Sequence, residues 1–151
     1  MKKVLNILLL NFCLLFFFYT ADAEALTERF SSSEIIELFK SEGYSAVDKV
    51  DDNIIQIKVD GLAYYLIIKD DGDLQAYYGI GDAVVTYQDI NEWNANKRLS
   101  RAYIDSDHDP VIEADLMANG GLTNDNVTEF FSVFQISVRA FIDFVNENDK
   151  S

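Results

Sequence analysis

The sequence predicts an α+β domain in which helices pack on one face of an antiparallel sheet, either six-stranded or split. Two observations lead to this class. The spacing of apolar residues changes from the period of a helix to that of a strand and back, and turn residues separate the segments in the order αββββαββα. Tight turns join the strands, which indicates antiparallel neighbours.

The first 23 residues are predicted to be a Sec-type signal peptide. Lys2 and Lys3 precede an apolar run over residues 4–19, and Ala21-Asp22-Ala23 follows; this order predicts cleavage after Ala23. The alternative is an uncleaved membrane anchor, but the run is shorter than the ~20 residues that a bilayer needs. Residues 24–151 are expected to form a single domain in the periplasm or outside the cell, with no stable membrane insertion.

The mature segment is strongly acidic and has no cysteine. The chain has 12 basic and 26 acidic residues; removal of Lys2, Lys3 and Asp22 leaves 10 and 25, a formal charge of −15. Such a surface repels phosphate groups, which makes nucleic acid and anionic lipid poor partners. The only cysteine, Cys13, leaves with the signal peptide, so an apolar core must stabilise the domain, and 128 residues suffice for one.

The first helix and the four strands after it are defined by their ends. Ser31 and Glu34 fit a capping box ahead of an apolar side, and Gly43 supplies the left-handed stop. Alternation then predicts strands at 44–50, 53–60, 62–69 and 74–80. Asp60-Gly61 is a strong hairpin signal, and a second turn falls at 70–73.

The third of these strands has apolar residues on both sides. Tyr64, Leu66 and Ile68 lie on one side, and Tyr65 and Ile67 on the other. This pattern predicts a central strand that is covered on both faces.

A second helix and a hairpin follow. Thr86 can cap a helix with one face formed by Ile90, Trp93, Asn94 and Lys97. A hairpin turn at 106–110 would set Arg101 opposite Asp115 and Tyr103 opposite Glu113. This register gives a charged, solvated face and an apolar face; the apolar residues are Ala102, Ile104, Ile112, Ala114 and Leu116.

The last helix has more apolar surface than one sheet face needs. Gly120-Gly121 breaks the chain, Thr123 caps, and the helix is predicted to end near residue 146. Its main stripe consists of Val127, Phe130, Phe131, Phe134, Val138, Phe141, Ile142 and Val145. Val133, Ile136 and Phe144 lie off this stripe. They either pack against the first helix or form an isologous homodimer interface.

The block from Ile90 to Thr123 resembles the YbjN domain family. The matching residues are Ile90-Asn91-x-Trp93-Asn94, Arg98-Leu99-Ser100-Arg101-Ala102-Tyr103, Asp105, Asp109-Pro110, Glu113-x-Asp115 and Gly120-Gly121-x-Thr123, followed by the Phe-rich helix. The likeness covers roughly residues 30–145. Family members are described as bacterial sensory transduction regulators and are similar in fold to type III secretion chaperones. The resemblance implies regulation or partner binding and supplies no catalytic residues; unlike the commoner cytoplasmic members, this chain has a signal peptide.

One turn contains the candidate metal ligands. Asp105, Asp107 and Asp109 are spaced like the start of a calcium loop. The glycine required at the sixth position is Pro110, and the glutamate required at the twelfth is Leu116. We therefore expect a solvated hairpin turn, with weak cation binding as the alternative.

No catalytic set or cofactor motif is recognised in the sequence. His108, the only histidine, has no nucleophile or second metal ligand of the usual kind beside it. Glu113 and Asp115 share a strand face and offer acid and base groups, but an arginine opposite favours their charged form. We expect no enzyme activity and no cofactor.

The candidates for partner binding are Asn91, Trp93, Asn94, Arg98 and Arg101. They join the second helix to the charged face of the hairpin, and Trp and Arg often dominate binding energy. In the alternative interpretation they are structural: Trp93 anchors the helix, Asn94 and Arg98 satisfy backbone groups, and Arg101 pairs with Asp115. The expected function is a non-enzymatic, chaperone-like binding or regulatory module for another protein. The alternative is a sensor of a small ligand or cation.

Overall fold

A computed structural model describes residues 25–151. The elements follow the predicted order: α1 (Ser32–Ser41), β1 (Ala46–Asp51), β2 (Ile54–Val59), β3 (Leu62–Ile68), β4 (Leu74–Gly79), α2 (Tyr87–Asn96), β5 (Arg101–Ile104), β6 (Pro110–Leu116) and α3 (Asn124–Asn148). The predicted signal peptide and Cys13 lie outside the described residues.

Each of these helices begins with a reciprocal capping box. The N-cap side chain accepts a hydrogen bond from the N3 backbone N–H, and the N3 side chain accepts one from the N-cap N–H. The pairs are Ser31 with Glu34, Thr86 with Asp89 and Thr123 with Asn126. Local sequence therefore fixes where each helix starts.

The six strands form one antiparallel sheet in the order β1-β2-β3-β4-β6-β5. β1 to β4 form a meander, and β6 then pairs with β4, which places β5 outermost. The sheet is therefore continuous rather than split. β1 and the four-residue β5 are its edges.

The helices pack on one face of the sheet, with α3 in the middle. The Phe131 ring of α3 lies 4.9 Å from Phe39 of α1 and 5.5 Å from Tyr64 of β3, measured between ring centroids. Further along α3, Phe141 lies 5.0 Å from Trp93 of α2. All five side chains are at most 2% exposed. The aromatic residues of α3 thus join both other helices to the sheet.

β3 is central, but the prediction that both of its faces are covered is wrong. Tyr64 points into the core, whereas Tyr65 and Ile67 are only half-buried on the face that the helices leave open. The Tyr65 hydroxyl accepts a hydrogen bond from Gln56 at 2.8 Å, and its ring lies 6.3 Å from Tyr77. Tyrosine can shield a sheet face while its hydroxyl stays in water, so a second layer is not required.

The β5–β6 register differs by two residues from the predicted one. Arg101 lies opposite Glu113 and Tyr103 opposite Val111, so the predicted pairing of Arg101 with Asp115 is wrong. A slip of two residues leaves every side chain on its original face. Alternation alone therefore cannot distinguish the two registers, and the predicted apolar face is correct.

The turn explains the shift, because it closes one residue earlier than predicted. The Asp105 N–H donates to the Asp109 carbonyl at 3.0 Å. The Asp105 carboxylate also accepts the N–H groups of Asp107 at 3.0 Å and Asp109 at 2.9 Å, and His108 adopts φ +70°. An aspartate that bonds to its own turn sets the hairpin register here.

The off-stripe residues of α3 have three different environments. Phe144 lies 5.5 Å from Trp93, so it packs against α2 rather than the first helix. Val133 is partly buried beside the end of β6. Ile136 is 69% exposed. The surplus apolar surface of α3 is thus partly covered by α2 and partly exposed to solvent.

Candidate functional site

One end of β6 lacks a strand on its outer side. The pairing of β5 with β6 stops at Arg101–Glu113, whereas β4 pairs with β6 as far as Leu116. Residues 114–116 therefore have a strand neighbour only in β4. β5 does not begin before Arg101, because Leu99, in the loop after α2, has φ +64° and interrupts the extended backbone.

Asp115 presents its main-chain N–H and C=O to this open side. In an antiparallel ladder, alternate residues bond to opposite neighbours. The Ile80 N–H donates to the Pro110 carbonyl on the β4 side, and the Asp105 N–H donates to the Asp109 carbonyl on the β5 side. The main-chain groups of even-numbered residues of β6 thus bond to β4, and those of odd-numbered residues face the side of β5. Asp115 is odd-numbered and lies beyond the last residue pair of β5 and β6.

A groove of about 740 Å³ runs along this open edge, between the end of β6, the loop before β5 and the first half of α3. We name it the edge groove. Its floor is apolar: Ala114, Leu116, Leu122, Phe130, Val133 and Phe134. Its rim is polar: Ser100, Arg101, Glu113, Asp115, Asn126 and Glu129. An apolar floor with a polar rim is typical of protein contact sites.

Glu113 is a buried carboxylate whose charge is compensated. It is 4% exposed, and the Arg101 guanidinium contacts its Oε1 atom. The Tyr103 hydroxyl lies 3.3 Å from Oε2 and donates to it. Glu113 and Arg101 thus form a fixed pair on the outer face of the sheet.

The other acidic groups of the rim have no cation beside them in the described structure. Asp115 is exposed and accepts a hydrogen bond from the neutral Gln75 amide at 3.1 Å. Glu129 is exposed on α3. Ser100 Oγ is shielded from solvent and has no hydrogen-bond partner within residues 25–151. The rim therefore has net negative charge and one polar atom free to bond.

Three of the seven large apolar side chains that are exposed in the described residues lie in or beside the edge groove. Leu99 lines it and is 69% exposed, and Met117, next to the floor residue Leu116, is 67% exposed. Leu26 is 64% exposed and adjoins Thr27, whose main chain pairs with that of the floor residue Leu122. Clustered exposure of large apolar groups marks a contact surface.

The residues that the sequence suggested for partner binding do not form one surface. Trp93 is 2% exposed in the core, and Asn94 bonds to the main chain of β5. The side chains of Asn91 and Arg98 are exposed and form no hydrogen bond with the rest of residues 25–151. Of the five, Arg101 alone lines the edge groove. The structural interpretation therefore accounts for Trp93 and Asn94, but not for Arg98.

Two of the three carboxylates of the aspartate turn, those of Asp105 and Asp109, accept main-chain hydrogen bonds, and Asp107 is exposed. Asp105 accepts two N–H groups of the turn, and Asp109 accepts the Asp82 N–H at 3.3 Å. No group of three or more His, Cys, Asp or Glu side chains suited to holding a metal ion occurs among the described residues. The arrangement stabilises the hairpin.

The outer sheet face is a second open surface. Burial raises the pKa of the Tyr77 hydroxyl, and Tyr103, Asp105 and Asp109 act in the same direction. The Tyr77 hydroxyl therefore keeps its proton to a higher pH than a free tyrosine does. This face is aromatic and polar, in contrast to the apolar edge groove.

The sequence did not predict the edge groove, because the groove depends on where the pairing of β5 with β6 begins, at Arg101. The signals in the sequence are the four residues between α2 and β5 and the surplus apolar residue Val133. Neither shows that residues 114–116 extend beyond their neighbour, since that follows from the register. The register in turn follows from the turn at Asp105.

Comparison with known proteins gives one match. The family model YbjN, described as "Putative bacterial sensory transduction regulator", matches residues 31–147. No curated protein and no solved structure matches the chain. Within residues 25–151, none of the helices combines the length and apolar character needed to cross a membrane.

Proposed function

The chain belongs to the YbjN family, and from this premise we propose that it is a non-enzymatic regulatory module that is exported and acts by binding another protein. The family description supports a regulatory role. The observation that carries the proposal of protein binding is the edge groove, in which an open strand edge, an apolar floor and exposed apolar side chains lie together.

The open edge of β6 is short, and its middle residue, Asp115, is charged and exposed. An unpaired strand edge invites pairing with another chain, and proteins normally cover it, shorten it or place charges on it. Here the edge lies beside an apolar groove that includes Leu116 and Val133. A partner that fills the groove would cover both the strand edge and the apolar floor.

The arrangement of the carboxylates supports a binding role rather than catalysis. Glu113 is held by Arg101 and Tyr103, which leaves no acid–base pair in the edge groove. Asp115 has only an amide beside it. General acid–base catalysis needs a group poised to exchange a proton, and this rim offers a fixed charge instead.

Export rests on the signal peptide predicted over residues 1–23. Cell fractionation and N-terminal sequencing test it: the accumulated protein should be in the periplasm or medium and begin at Glu24. Recovery in the cytoplasm with residues 1–23 intact would contradict export without affecting the proposal of protein binding.

Site-specific photo-cross-linking in the protein's own cells tests partner binding. A photoreactive amino acid placed at Leu99 or Met117 should give the same discrete protein adduct, because both positions adjoin the edge groove. Ile136 is the matched control, since it is as exposed as Leu99 but does not line the groove. Absence of adducts at Leu99 and Met117, or equal adducts at all three positions, would contradict the proposal.

A second candidate function is a small-ligand sensor that uses the same groove. The volume of about 740 Å³ is within the range of small-molecule sites. Native mass spectrometry of the protein as its cells accumulate it would show a bound molecule of defined mass. A free mass together with cross-linking to a protein would favour the first candidate.

A further inference from the structure

We propose that the edge groove binds an extended segment of the partner protein as an additional strand on β6, and that this segment carries a basic residue between two apolar residues. The inference rests on the proposed function and names the chemistry of the partner at the same site.

The main chain of β6 supplies the first argument. Asp115 directs its N–H and C=O to the side that β5 does not reach. A strand placed antiparallel to residues 114–116 would exchange both hydrogen bonds with Asp115. Binding by strand addition uses such main-chain bonds for affinity and alternate side-chain pockets for specificity.

The side chains of β6 define the pattern of the incoming segment. Residues paired across an antiparallel ladder point to the same face. The residues opposite Ala114 and Leu116 would therefore enter the apolar floor of the groove. The residue between them would lie on the outer face beside Asp115. The fitting pattern is apolar, then basic, then apolar.

Charge selects the central residue and the kind of partner. Asp115 and Glu129 have no cation beside them in the described structure, and Arg101 is already paired with Glu113. A lysine or arginine opposite Asp115 would supply the missing charge. A second copy of this chain fits less well, because its formal charge is −14 and the two acidic rims would repel each other.

The two outer strands of the sheet are less suited to strand addition than the free stretch of β6, which lies beside an apolar groove. The outer side of β5 is occupied at Ala102 by the Asn94 side chain. The edge strand β1 has exposed charges at Asp48, Lys49 and Asp51 and an irregular register between Lys49 and Asp51, both of which hinder pairing.

The test measures binding of a fluorescein-labelled peptide, Gly-Ser-Val-Lys-Val-Ser-Gly, to the purified protein in the form that its cells accumulate. Two matched peptides replace the lysine by glutamate or methylate its main-chain nitrogen. Methylation should weaken binding about tenfold, because it removes one main-chain hydrogen bond. Hydrogen exchange of the Asp115 amide should slow in the complex.

A charge reversal provides the decisive comparison. Asp115→Lys should invert the preference, so that the glutamate peptide binds more tightly than the lysine peptide. Ile136→Lys on α3 is the control and should leave the preference unchanged. Equal binding of the lysine peptide and its methylated form would overturn strand addition, and an unchanged preference in Asp115→Lys would overturn the placement of a basic residue opposite Asp115.

Failure of this inference can be separated from failure of the proposed function. If Leu99 still cross-links to a partner while no peptide binds and Asp115→Lys cross-links normally, strand addition is wrong and protein binding stands. If the isolated protein sediments as a dimer and Asp115→Lys is monomeric, the occupant is a second copy, and the basic partner segment is wrong.

Discussion

Asn94 of α2 makes both hydrogen bonds that an additional strand would make with Ala102 of β5. Its Nδ2 donates to the Ala102 carbonyl at 2.9 Å, and its Oδ1 accepts from the Ala102 N–H at 2.9 Å. Ala102 lies opposite Ile112, and the main-chain groups of Ile112 bond to β4. The main-chain N–H and C=O groups of Ala102 therefore point away from the sheet. One side chain thus closes the edge of β5.

The first prediction concerns this closure. Asn94→Ala should lower the free energy of unfolding by about 2 kcal/mol, because it leaves the donor and the acceptor of Ala102 without partners. Urea unfolding followed by the fluorescence of Trp93, the only tryptophan, measures the change.

Asn91→Ala is the matched control, because the Asn91 side chain is exposed on the same helix and forms no hydrogen bond with the described part of the chain. Alanine favours helix more than asparagine does, so the control should be neutral or slightly stabilising. A similar loss of stability in both variants would show that the bonds to Ala102 contribute little.

The second prediction tests the β5–β6 register. A double-mutant cycle of Arg101→Gln with Glu113→Gln should give a coupling energy of about 1 kcal/mol, because the two groups are in contact and Glu113 is buried. The same cycle with Asp115→Asn in place of Glu113→Gln should give less than about 0.5 kcal/mol. A larger coupling with Asp115 would restore the register predicted from the sequence.

The predictable features of the fold are those that the sequence encodes locally. Capping boxes such as Ser31 with Glu34 and the Asp60-Gly61 turn depend on residues a few positions apart, and each lies where it was expected. The inward faces of the strands follow from alternation. Local chemistry and the period of apolar residues were therefore sufficient for the class and the order of elements.

The candidate site depended on features that alternation does not encode. A shift of two residues in the hairpin preserves both faces, yet it moves Glu113 into the place assigned to Asp115 and leaves Asp115 beyond the end of β5. Burial of Trp93 against Phe141 is likewise a tertiary contact between elements almost 50 residues apart. The edge groove results from these long-range relations.

The third prediction concerns acid stability at the start of α2. Hydrogen bonds from Lys150 and Thr86 hold the pKa of Asp89 at about 2, against 3.8 for a free aspartate. A folded-state pKa below the unfolded value contributes stability above the unfolded pKa, and this contribution is lost as the pH falls through the folded pKa. Asp89→Asn should therefore be less stable than the wild type near neutral pH, and the difference should shrink at about pH 2.

Urea midpoints at about pH 6 and about pH 2 check this dependence. Asp48→Asn is the control, because Asp48 is exposed on β1 and forms no ion pair with the described residues. A difference between Asp89→Asn and wild type that stays constant with pH would show that the charge of Asp89 does not matter.

The fourth prediction concerns calcium. The carboxylate of Asp105 is occupied by the N–H groups of Asp107 and Asp109, so calcium at about 1 mM, the range of weak extracellular sites, should leave the Tm unchanged. Thermal unfolding with calcium, and with magnesium as the control, measures this. A rise in Tm that saturates with calcium and disappears in Asp107→Asn would establish a cation site in the turn.

The fifth prediction uses two adjacent glycines that share one backbone conformation. Gly120 and Gly121 both have φ +86°, but a Cβ at Gly120 would meet nothing within 4 Å, whereas one at Gly121 would lie 2.7 Å from the Leu26 Cβ atom. Alanine at Gly120 should cost about 1 kcal/mol, the penalty of left-handed backbone. Alanine at Gly121 should lower the free energy of unfolding by about 1 kcal/mol more than alanine at Gly120, because Leu26 must move. Since Thr27 pairs with Leu122, that movement should also weaken the pairing at Leu122, and hydrogen exchange of the Leu122 amide should accelerate in Gly121→Ala only. Equal stability of the two variants and unchanged exchange at Leu122 would show that Leu26 does not restrain the chain at Gly121 and Leu122.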